Sequence, residues 1–288
     1  NVVAIRAYHY GSPARGDGWG SFSGNAYTIG ERAGLFAQIE TVALDGSTTV
    51  LGTDESWCLM PACGWDRTAK MINVLVGTTE IYDARVDPTD WMGLDFDDSG
   101  WTPATVLPDS ELDWVVMEAR YTPLLEERQA FPDKIVEVGE VIDQGRLGQT
   151  DIPELLFQEA HFTLENAVVR DIDAMLGDQG ASELQGRFVR GEGIRVPYVI
   201  LDFGRQVIGF PTLRLRAEEG SIIDVTYSQK LQAGRIDSGH RYGDRYISRD
   251  GDQTWEVAEY KQFRYMQLTV RSTYAPVHVQ SVFVNQYL

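Results

Sequence analysis

Two stretches decide the fold of this chain, and they read Leu201-Asp-Phe-Gly-Arg-Gln-Val-Ile-Gly-Phe-Pro-Thr-Leu-Arg-Leu-Arg216 and Trp255-Glu-Val-Ala-Glu-Tyr-Lys-Gln-Phe-Arg-Tyr-Met-Gln-Leu-Thr-Val270. Apolar and polar side chains alternate along both, which is the period of a half-buried β-strand. The same pattern runs on from residue 195 and predicts strands at 195–203, 209–217, 221–230, 243–248, 254–257, 261–271 and 276–287. The predicted turns between them are Glu219-Gly220, Ala233-Gly234 and Asp250-Gly251. Many short strands at turn-marked intervals predict an all-β sandwich or jelly roll.

The first part of the chain alternates in shorter pieces. Residues 34–44 and 47–51 form a predicted hairpin, because Asp45-Gly46 between them favours a tight two-residue turn. Pro103 and Pro108 mark the end of this unit. We therefore place a domain boundary near residue 110, which divides the chain into a smaller domain at 1–110 and a larger one at 111–288.

The larger domain opens with weaker patterns. Lys134-Ile-Val-Glu-Val-Gly-Glu-Val-Ile142 is its clearest early strand. A small helix is predicted over 151–161, because Asp151 can cap it, Pro153 suits its first turn and Glu154 follows three residues after the cap.

The composition indicates a folded, acidic protein. Of 288 residues, 43% are hydrophobic, which is enough for folded cores. The formal net charge of −18 argues against nucleic acids and anionic membranes as partners, because phosphate-rich surfaces require a basic face. The negative charge does not argue against neutral ligands such as sugars. No apolar run approaches the ~18 residues that a transmembrane helix requires.

Several segments together give a more specific signal. In chain order they are Gly34-Leu-Phe-Ala-Gln38, Thr53-Asp-Glu-Ser-Trp57, Glu80-Ile-Tyr-Asp-Ala-Arg85, Phe96-Asp-Asp-Ser-Gly-Trp101, Leu201 to Phe210, Asp244-Arg-Tyr-Ile-Ser-Arg249 and Tyr260 to Tyr265. This series resembles the accessory β-domains of α-L-rhamnosidases of glycoside hydrolase family 78. The first four segments are similar to the later part of that family's N-terminal domain, and the others to the larger sandwich that follows it.

The resemblance implies a partial galactose-binding-like jelly roll followed by a larger β-sandwich with a small helical insertion. It also implies a parent activity, the hydrolysis of terminal α-L-rhamnosyl residues, which in the family belongs to an (α/α)₆ barrel carrying the general acid and base. The resemblance covers the β-domains and does not extend to this barrel. It therefore assigns no catalytic residue to this chain. Because the first residues already alternate as a strand, we expect a truncated piece of such an enzyme. The chain shows no signal peptide, and its compartment is left open.

Aromatic side chains in loops are the candidates for sugar binding, because their rings can stack on the apolar C–H face of a sugar. The best candidate is Trp19, in the loop Gly16-Asp-Gly-Trp-Gly20, and Tyr10, Trp65 and Trp91 are weaker ones. For each of the four, packing in a core is the alternative interpretation.

A calcium site is the one metal site that the sequence leaves open. Asp95, Asp97, Ser99 and Gly100 match the opening of a calcium loop, but Val106 stands where an EF-hand requires a glutamate. A turn with Trp101 packed beneath it is the favoured interpretation. The resemblance still allows a structural calcium near Asp95 and Asp97, because related sugar-binding jelly rolls often hold one. We predict no other cofactor.

Two further groups of residues carry hypotheses. His240, Arg241 and Tyr242 lie in a turn-rich segment that could contact a neighbouring catalytic domain, although an ordinary polar loop is the alternative. Cys58 and Cys63 are predicted to be two thiols, while a local disulfide is not excluded by their spacing.

These patterns lead to two principal hypotheses of function. The first is a non-catalytic accessory portion of an α-L-rhamnosidase-type glycoside hydrolase, which supports the catalytic barrel and binds a rhamnosylated glycan or another carbohydrate. The alternative is a free-standing carbohydrate-binding module or lectin. A structural sandwich without any ligand is a third interpretation.

Overall fold

The computed structural model describes residues 2–7, 34–69, 71–73, 77–108, 118, 120–143, 152, 159–237 and 242–287. These residues form β-strands joined by turns, with one 3₁₀ turn at Ile172–Leu176. No helix in these ranges is long and apolar enough to cross a membrane. The strands are β1 (Gln38–Val42), β2 (Thr48–Gly52), β3 (Cys58–Leu59), β4 (Met71–Asn73), β5 (Gly77–Thr78), β6 (Ile81–Asp83), β7 (Thr102–Pro103), β8 (Glu127–Ala130), β9 (Lys134–Asp143), β10 (His161–Thr163), β11 (Val168–Arg170), β12 (Ser182–Gln185), β13 (Arg187–Val189), β14 (Gly193–Ala217), β15 (Ile222–Ser228), β16 (Leu231–Gln232), β17 (Arg235–Ile236), β18 (Gly243–Ile247), β19 (Gly251–Glu256), β20 (Lys261–Val270) and β21 (Val277–Tyr287).

The chain divides into two compact units. The first contains 1–62 and 88–123, and the second contains 63–87 and 124–288. Residues 63–87 precede the predicted boundary near residue 110, yet they pack in the second unit, because β6 pairs in parallel with β18 there.

The first unit contains the predicted hairpin. Strands β1 and β2 pair antiparallel with Ile39 opposite Leu51. Gly46 adopts φ +83°, the left-handed conformation that the turn requires and that glycine adopts without strain. The hairpin prediction is confirmed.

The second unit is a two-sheet sandwich built around β14. Sheet I has the strand order β10-β9-β14-β20-β15-β18-β6, and sheet II has the order β11-β12-β21-β14-β19, with β8 also paired to β21. The first half of β14 belongs to sheet I and its second half to sheet II. Gly209 lies at the change of sheet, where a Cβ would come within 2.1 Å of the Asn285 carbonyl oxygen. Only glycine fits there.

The core lies between the two sheets. Alternate residues of β14 supply it from both sides, with Val199 and Leu201 in sheet I and Leu213 and Leu215 in sheet II. Buried side chains of β20 and β21 complete the layer. The all-β sandwich prediction is thus confirmed, with strand bounds close to those expected from the alternation.

The predicted end of a strand near residue 203 is instead a bend within one continuous strand. The sequence predicts two strands at 195–203 and 209–217, whereas the structure has one long strand that shifts register between Asp202 and Val207. Gly204 in this bulge has φ +70°. A bulge of this kind bends a strand while its ladder continues on both sides.

The predicted helix near 151–161 falls mostly outside the described residues. Ile152 is helical and buried, and His161 already opens β10.

Candidate functional site

The predicted sugar-binding residue Trp65 ends an aromatic column in the second unit. Its ring centroid lies 4.5 Å from that of Tyr82, Tyr82 lies 5.9 Å from Tyr246, and Tyr246 lies 5.1 Å from Trp255. The parallel register of β6 and β18 produces this arrangement, because it sets Tyr82 directly beside Tyr246. Trp255 is buried in the sandwich core, while Trp65 at the other end is half-buried.

Trp65 also lines a small cavity of about 230 Å³, together with Cys63, Gly64, Asp66, Ile81, Asp83, Val86 and Ile247. Ligand pockets for drug-sized molecules have roughly 300–1,000 Å³, so this cavity has space for no more than a small ligand such as one sugar ring. Gly64 and Tyr82 are fixed beside it by Asp87, which accepts hydrogen bonds from the Gly64 N–H at 2.6 Å and the Tyr82 hydroxyl at 2.6 Å. In this cavity a predicted sugar-binding aromatic meets a concave surface.

The two aspartates of the cavity are already hydrogen-bonded. Asp66 accepts from the Thr68 N–H at 2.8 Å and from the Thr68 hydroxyl at 2.7 Å. Asp83 accepts from both Nε and Nη2 of Arg85, and this interaction lowers the pKa of Asp83. Asp83 is therefore unsuited to act as a general acid.

The other predicted sugar-binding residues do not join this cavity. Trp91 lies in the first unit, where the Arg6 guanidinium carbon sits 5.8 Å from its ring centroid and Trp101 packs 6.4 Å away. Tyr10 and Trp19 lie outside the described residues. The sugar-binding role of all four aromatics stays a prediction.

Asp95 and Asp97, the candidate calcium ligands, are both exposed. Asp97 accepts a hydrogen bond from the Ser99 N–H at 3.0 Å, and Ser99 lowers the pKa of Asp97. Beneath them Trp101 packs edge-on against Phe96 at 5.5 Å. Within the described ranges, no three His, Cys, Asp or Glu side chains are grouped as a metal site requires. A calcium ion here stays a prediction.

Of the predicted interface residues, only Tyr242 is described. Its ring packs 5.2 Å from Tyr227, and Lys261 Nζ lies 5.2 Å from its centroid. Burial raises the pKa of Tyr242 to about 12. The residue thus packs against the sandwich core, and His240 and Arg241 lie outside the described residues. Cys58 and Cys63 are exposed thiols, as predicted.

A buried group of charged residues in the sandwich was not predicted. Glu80, immediately before β6, is 7% exposed and accepts hydrogen bonds from Trp255 Nε1 at 2.9 Å and from the Ala258 N–H at 2.7 Å. Its own N–H donates to Asp244 Oδ1 at 2.8 Å. The Lys261 ammonium lies 3.4 Å from Asp244 Oδ2. Burial and the nearby Asp244 raise the pKa of Glu80 to about 7, against donors that lower it.

A second buried cluster lies on the opposite face of sheet I. Arg245 Nε and Nη2 donate to Asp224 at 2.6 and 2.8 Å, and Arg271 Nε donates to Asp224 Oδ2 at 2.6 Å. Arg271 also pairs with Glu159 at 2.7 Å. Burial acts to raise the pKa of Asp224, but the two guanidinium groups outweigh it and the pKa is lowered. Burial prevails at Glu159, whose pKa is raised.

Neither cluster has the access that acid–base catalysis requires. Glu80 and Glu159 are the described carboxyl groups with a raised pKa, and a raised pKa is what a catalytic acid needs. Both are buried, and neither lines the Trp65 cavity or the open depression of about 530 Å³ around Asp171–Ala174 and Gln179–Ala181. These clusters hold the sandwich together.

One signal could have indicated the clusters in advance. Asp244 and Arg245 are adjacent charged residues inside a strand, and alternation sends them to opposite faces. A charge on each face of a strand in the middle of a sheet must find a buried partner. The sequence does not indicate which partner, because Glu80 is more than 160 residues away from Asp244 along the chain.

Protein-family models match parts of both units. The α-L-rhamnosidase N-terminal domain model matches residues 14–123, and the bacterial α-L-rhamnosidase concanavalin-like domain model matches residues 194–285. No curated protein sequence matches the chain.

Solved structures that match the chain include rhamnosidases. The GH78 rhamnosidase of Bacillus sp. GL1 aligns with a TM-score of 0.65 and 16% identity, over 87% of this chain and 44% of that one. The Streptomyces avermitilis α-L-rhamnosidase complexed with L-rhamnose gives 0.45, with 17% identity over 86% of this chain and 19% of that one. The Aspergillus terreus α-L-rhamnosidase gives 0.44, with 15% identity over 86% and 22%. At 16% identity the likeness to the Bacillus sp. GL1 enzyme concerns the fold alone. The chain spans less than half the length of these relatives.

Proposed function

This chain belongs, through its N-terminal and concanavalin-like domains, to the bacterial α-L-rhamnosidase family, and we propose that it is the non-catalytic β-domain portion of a glycoside hydrolase of that family. The parent reaction is the removal of terminal α-L-rhamnosyl residues from a glycan. In this proposal the sandwich supports a separate catalytic domain and does not itself perform the reaction.

The observation that carries the proposal is the burial of Glu80 and Glu159, which are the described carboxyl groups with a raised pKa. A glycosidase needs two carboxyl groups about 5–5.5 Å apart for retention, or about 6.5–9.5 Å apart for inversion, on either side of a substrate bond. Glu80 and Glu159 are instead held inside the sandwich by Trp255, Ala258 and Arg271. A substrate cannot reach them.

The test is an assay of this 288-residue chain with an aryl α-L-rhamnoside, with the Bacillus sp. GL1 enzyme as positive control. We expect no release of the aryl group above the buffer blank. Saturable turnover by the chain that survives repeated purification would contradict the non-catalytic role. Glu80→Gln and Glu159→Gln would then show whether either buried carboxyl group is responsible.

In this proposal the catalytic domain docks on the surface where β14, β20 and β21 meet. Ile208, Tyr260 and Tyr287 are 50%, 64% and 44% exposed there, and the Tyr287 ring packs against Phe210 at 5.6 Å. Grouped apolar side chains at a surface favour a role as an interface. We expect Tyr260→Ser to leave the melting temperature of this chain unchanged, but to lower the temperature at which the longer enzyme loses activity. An unchanged inactivation temperature would argue against docking at this surface.

Sugar binding is the second candidate function, favoured by the cavity beside Trp65. One aromatic ring and a few polar groups give weak binding, so we expect a dissociation constant in the millimolar range, equivalent to about −4 kcal/mol. Calorimetric titration with L-rhamnose and with D-galactose tests it. Trp65→Leu should abolish the heat of binding, whereas the matched control Trp57→Leu, a tryptophan of the first unit with no predicted sugar-binding role, should retain it. Equal binding by both variants would exclude the cavity, and no binding by the wild type would leave the accessory role alone.

A structural calcium at Asp95 and Asp97 is the remaining part of the proposal. Extracellular calcium modules bind at about 10⁻⁴–10⁻³ M, so added calcium in that range should raise the melting temperature by mass action. The double variant Asp95→Asn with Asp97→Asn should lose this increase. An equal response in the double variant would exclude these two aspartates as ligands.

A further inference from the structure

Residues 79–85 form the edge of sheet I in the sandwich. Strand β6 adds in parallel to β18, with Ile81 beside Arg245 and Asp83 beside Ile247. The Arg245 N–H donates to the Glu80 carbonyl at 2.8 Å, and the Ala84 N–H donates to the Ile247 carbonyl at 2.9 Å. The segment comes from the part of the chain that matches the family's N-terminal domain, yet it completes a sheet of the concanavalin-like domain. These few hydrogen bonds attach it to sheet I.

The Glu80 carboxyl group anchors this segment in the core. It reaches past β18 to Trp255 Nε1 and to the Ala258 N–H, so it ties β6 to β19 and to the loop that follows it. The charged and titratable side chains that face it are Asp244 from β18, Lys261 from β20, Tyr227 from β15, and Tyr242 and Glu259 from the adjoining loops. Lys261 is the single cation in this set.

The charges around Glu80 do not balance when it is ionised. The Lys261 ammonium lies against Asp244, and both of these side chains are no more than 1% exposed. An ionised Glu80 adds a second buried carboxylate with no cation of its own, in a place where water cannot screen it. A protonated Glu80 leaves one buried carboxylate, that of Asp244, facing one ammonium, while Glu259 is only half-buried and is reached by water. The geometry therefore favours the neutral carboxyl group whenever the segment is docked.

We propose that Glu80 makes the 79–85 segment a proton-operated latch, which is closed on the edge of sheet I while the carboxyl group is protonated and opens more often once it is ionised. The edge of β18 binds residues 79–85 of the same chain, and the proton on Glu80 regulates this binding. This inference is independent of the function proposed above, because it requires neither a sugar nor a catalytic domain.

The size of the effect follows from proton linkage. Burial and Asp244 place the pKa of Glu80 at about 7 in the closed form, against its ordinary value of 4.5 in water. With these two values the ratio of open to closed latch rises about 30-fold between pH 5.5 and pH 8.5. Most of that rise falls between pH 6 and pH 8, where many proteins keep constant stability.

Amide hydrogen exchange of the intact chain measures the opening directly. The reporting amides are those of Ala84 and Arg245, whose hydrogen bonds span β6 and β18. After correction for the pH dependence of intrinsic exchange, their protection should fall about 30-fold from pH 5.5 to pH 8.5. Amides in the centre of β20, such as Leu268, exchange only when the whole sandwich unfolds, so they should stay more protected than Ala84 and Arg245 at both pH values.

Three variants separate the latch from a general loss of stability. Glu80→Gln should give the same protection at both pH values. Asp244→Asn removes the repelling carboxylate and should move the midpoint of opening to lower pH. Glu140→Gln is the matched control, because Glu140 is equally buried but its pKa is lowered by the N–H groups of Ala167 and Asn166 despite its burial. It should leave the midpoint unchanged. Constant protection in the wild type, or a pH effect that persists in Glu80→Gln, would overturn the proposal.

Discussion

Asp224 and Glu80 are both buried carboxyl groups of the same sheet, yet they differ in the sign of their pKa shift. Asp224 lies on one face of sheet I between the guanidinium groups of Arg245 and Arg271, and its pKa is lowered. Glu80 lies on the other face between neutral N–H donors and Asp244, and its pKa rises to about 7. The difference shows that burial alone does not decide ionisation. For these two carboxyl groups, the charge of the partners decides it.

This contrast distinguishes a cluster whose charge is constant near neutral pH, the fixed cluster around Asp224, from one whose charge changes with pH, the variable cluster around Glu80. Asp224, whose pKa is lowered, stays ionised throughout the neutral range, so its pairs with Arg245 and Arg271 fix the register of β15, β18 and β20 at any physiological pH. The Glu80 cluster changes charge within that range. One strand, β18, presents Asp244 to the variable cluster and Arg245 to the fixed one.

The largest expected effect comes from removing the centre of the fixed cluster. Asp224→Ala leaves two guanidinium groups buried without their shared acceptor, and breaking a buried ion pair from one side costs about 3–5 kcal/mol. The free energy of unfolding in urea at pH 7 should fall by about that amount, with an unchanged denaturant slope. A loss below about 1 kcal/mol would mean that water reaches the cluster, and the contrast with Glu80 would then fail.

The next effect comes from removing the cation of the variable cluster. Lys261→Met leaves Asp244 and Glu80 without an ammonium, so at pH 8 we expect a loss of about 3 kcal/mol in the free energy of unfolding. The loss should be smaller at pH 5.5, because a proton can then replace the ammonium in neutralising one carboxylate. Urea denaturation at both pH values measures this. Equal losses would show that Lys261 stabilises by packing on Tyr242 and not by its charge.

Proton linkage predicts a smaller effect for Glu80 itself. A carboxyl group whose pKa is raised on folding stabilises fully below its unfolded value of 4.5, and this contribution is lost as the pH rises through about 7. The stability of the wild type relative to Glu80→Gln should therefore fall by about 2 kcal/mol between pH 5.5 and pH 8.5. Thermal or urea unfolding of both proteins at the two pH values gives the difference. A rise with pH would reverse the assigned sign of the shift.

The sequence predicts the fixed parts of this molecule better than the variable ones. The strands from residue 195 onward follow from alternation, and the hairpin follows from Asp45-Gly46, because these signals act between neighbours in the chain. The pairing of β6 with β18 joins residues more than 160 positions apart, and nothing local to Ile81 specifies its partner. The same holds for Glu80 and Trp255. Trp65 was singled out as a loop aromatic, but only the structure joins it to Tyr82 and to a cavity.

The smallest effect is expected at the surface, where solvent replaces the missing partner. Arg85 pairs with Asp83 at 2.7 Å at the end of the latch segment, but its side chain is 40% exposed. Exposed pairs contribute about 0–1 kcal/mol, because water and salt screen the attraction and the long side chain loses freedom on pairing. Arg85→Ala should therefore change the free energy of unfolding by less than about 1 kcal/mol, and the change should shrink further in molar salt. A loss as large as that of Asp224→Ala would mean that the charge of the partner matters as much in water as inside the sheet, and would remove the distinction between the two buried carboxyl groups.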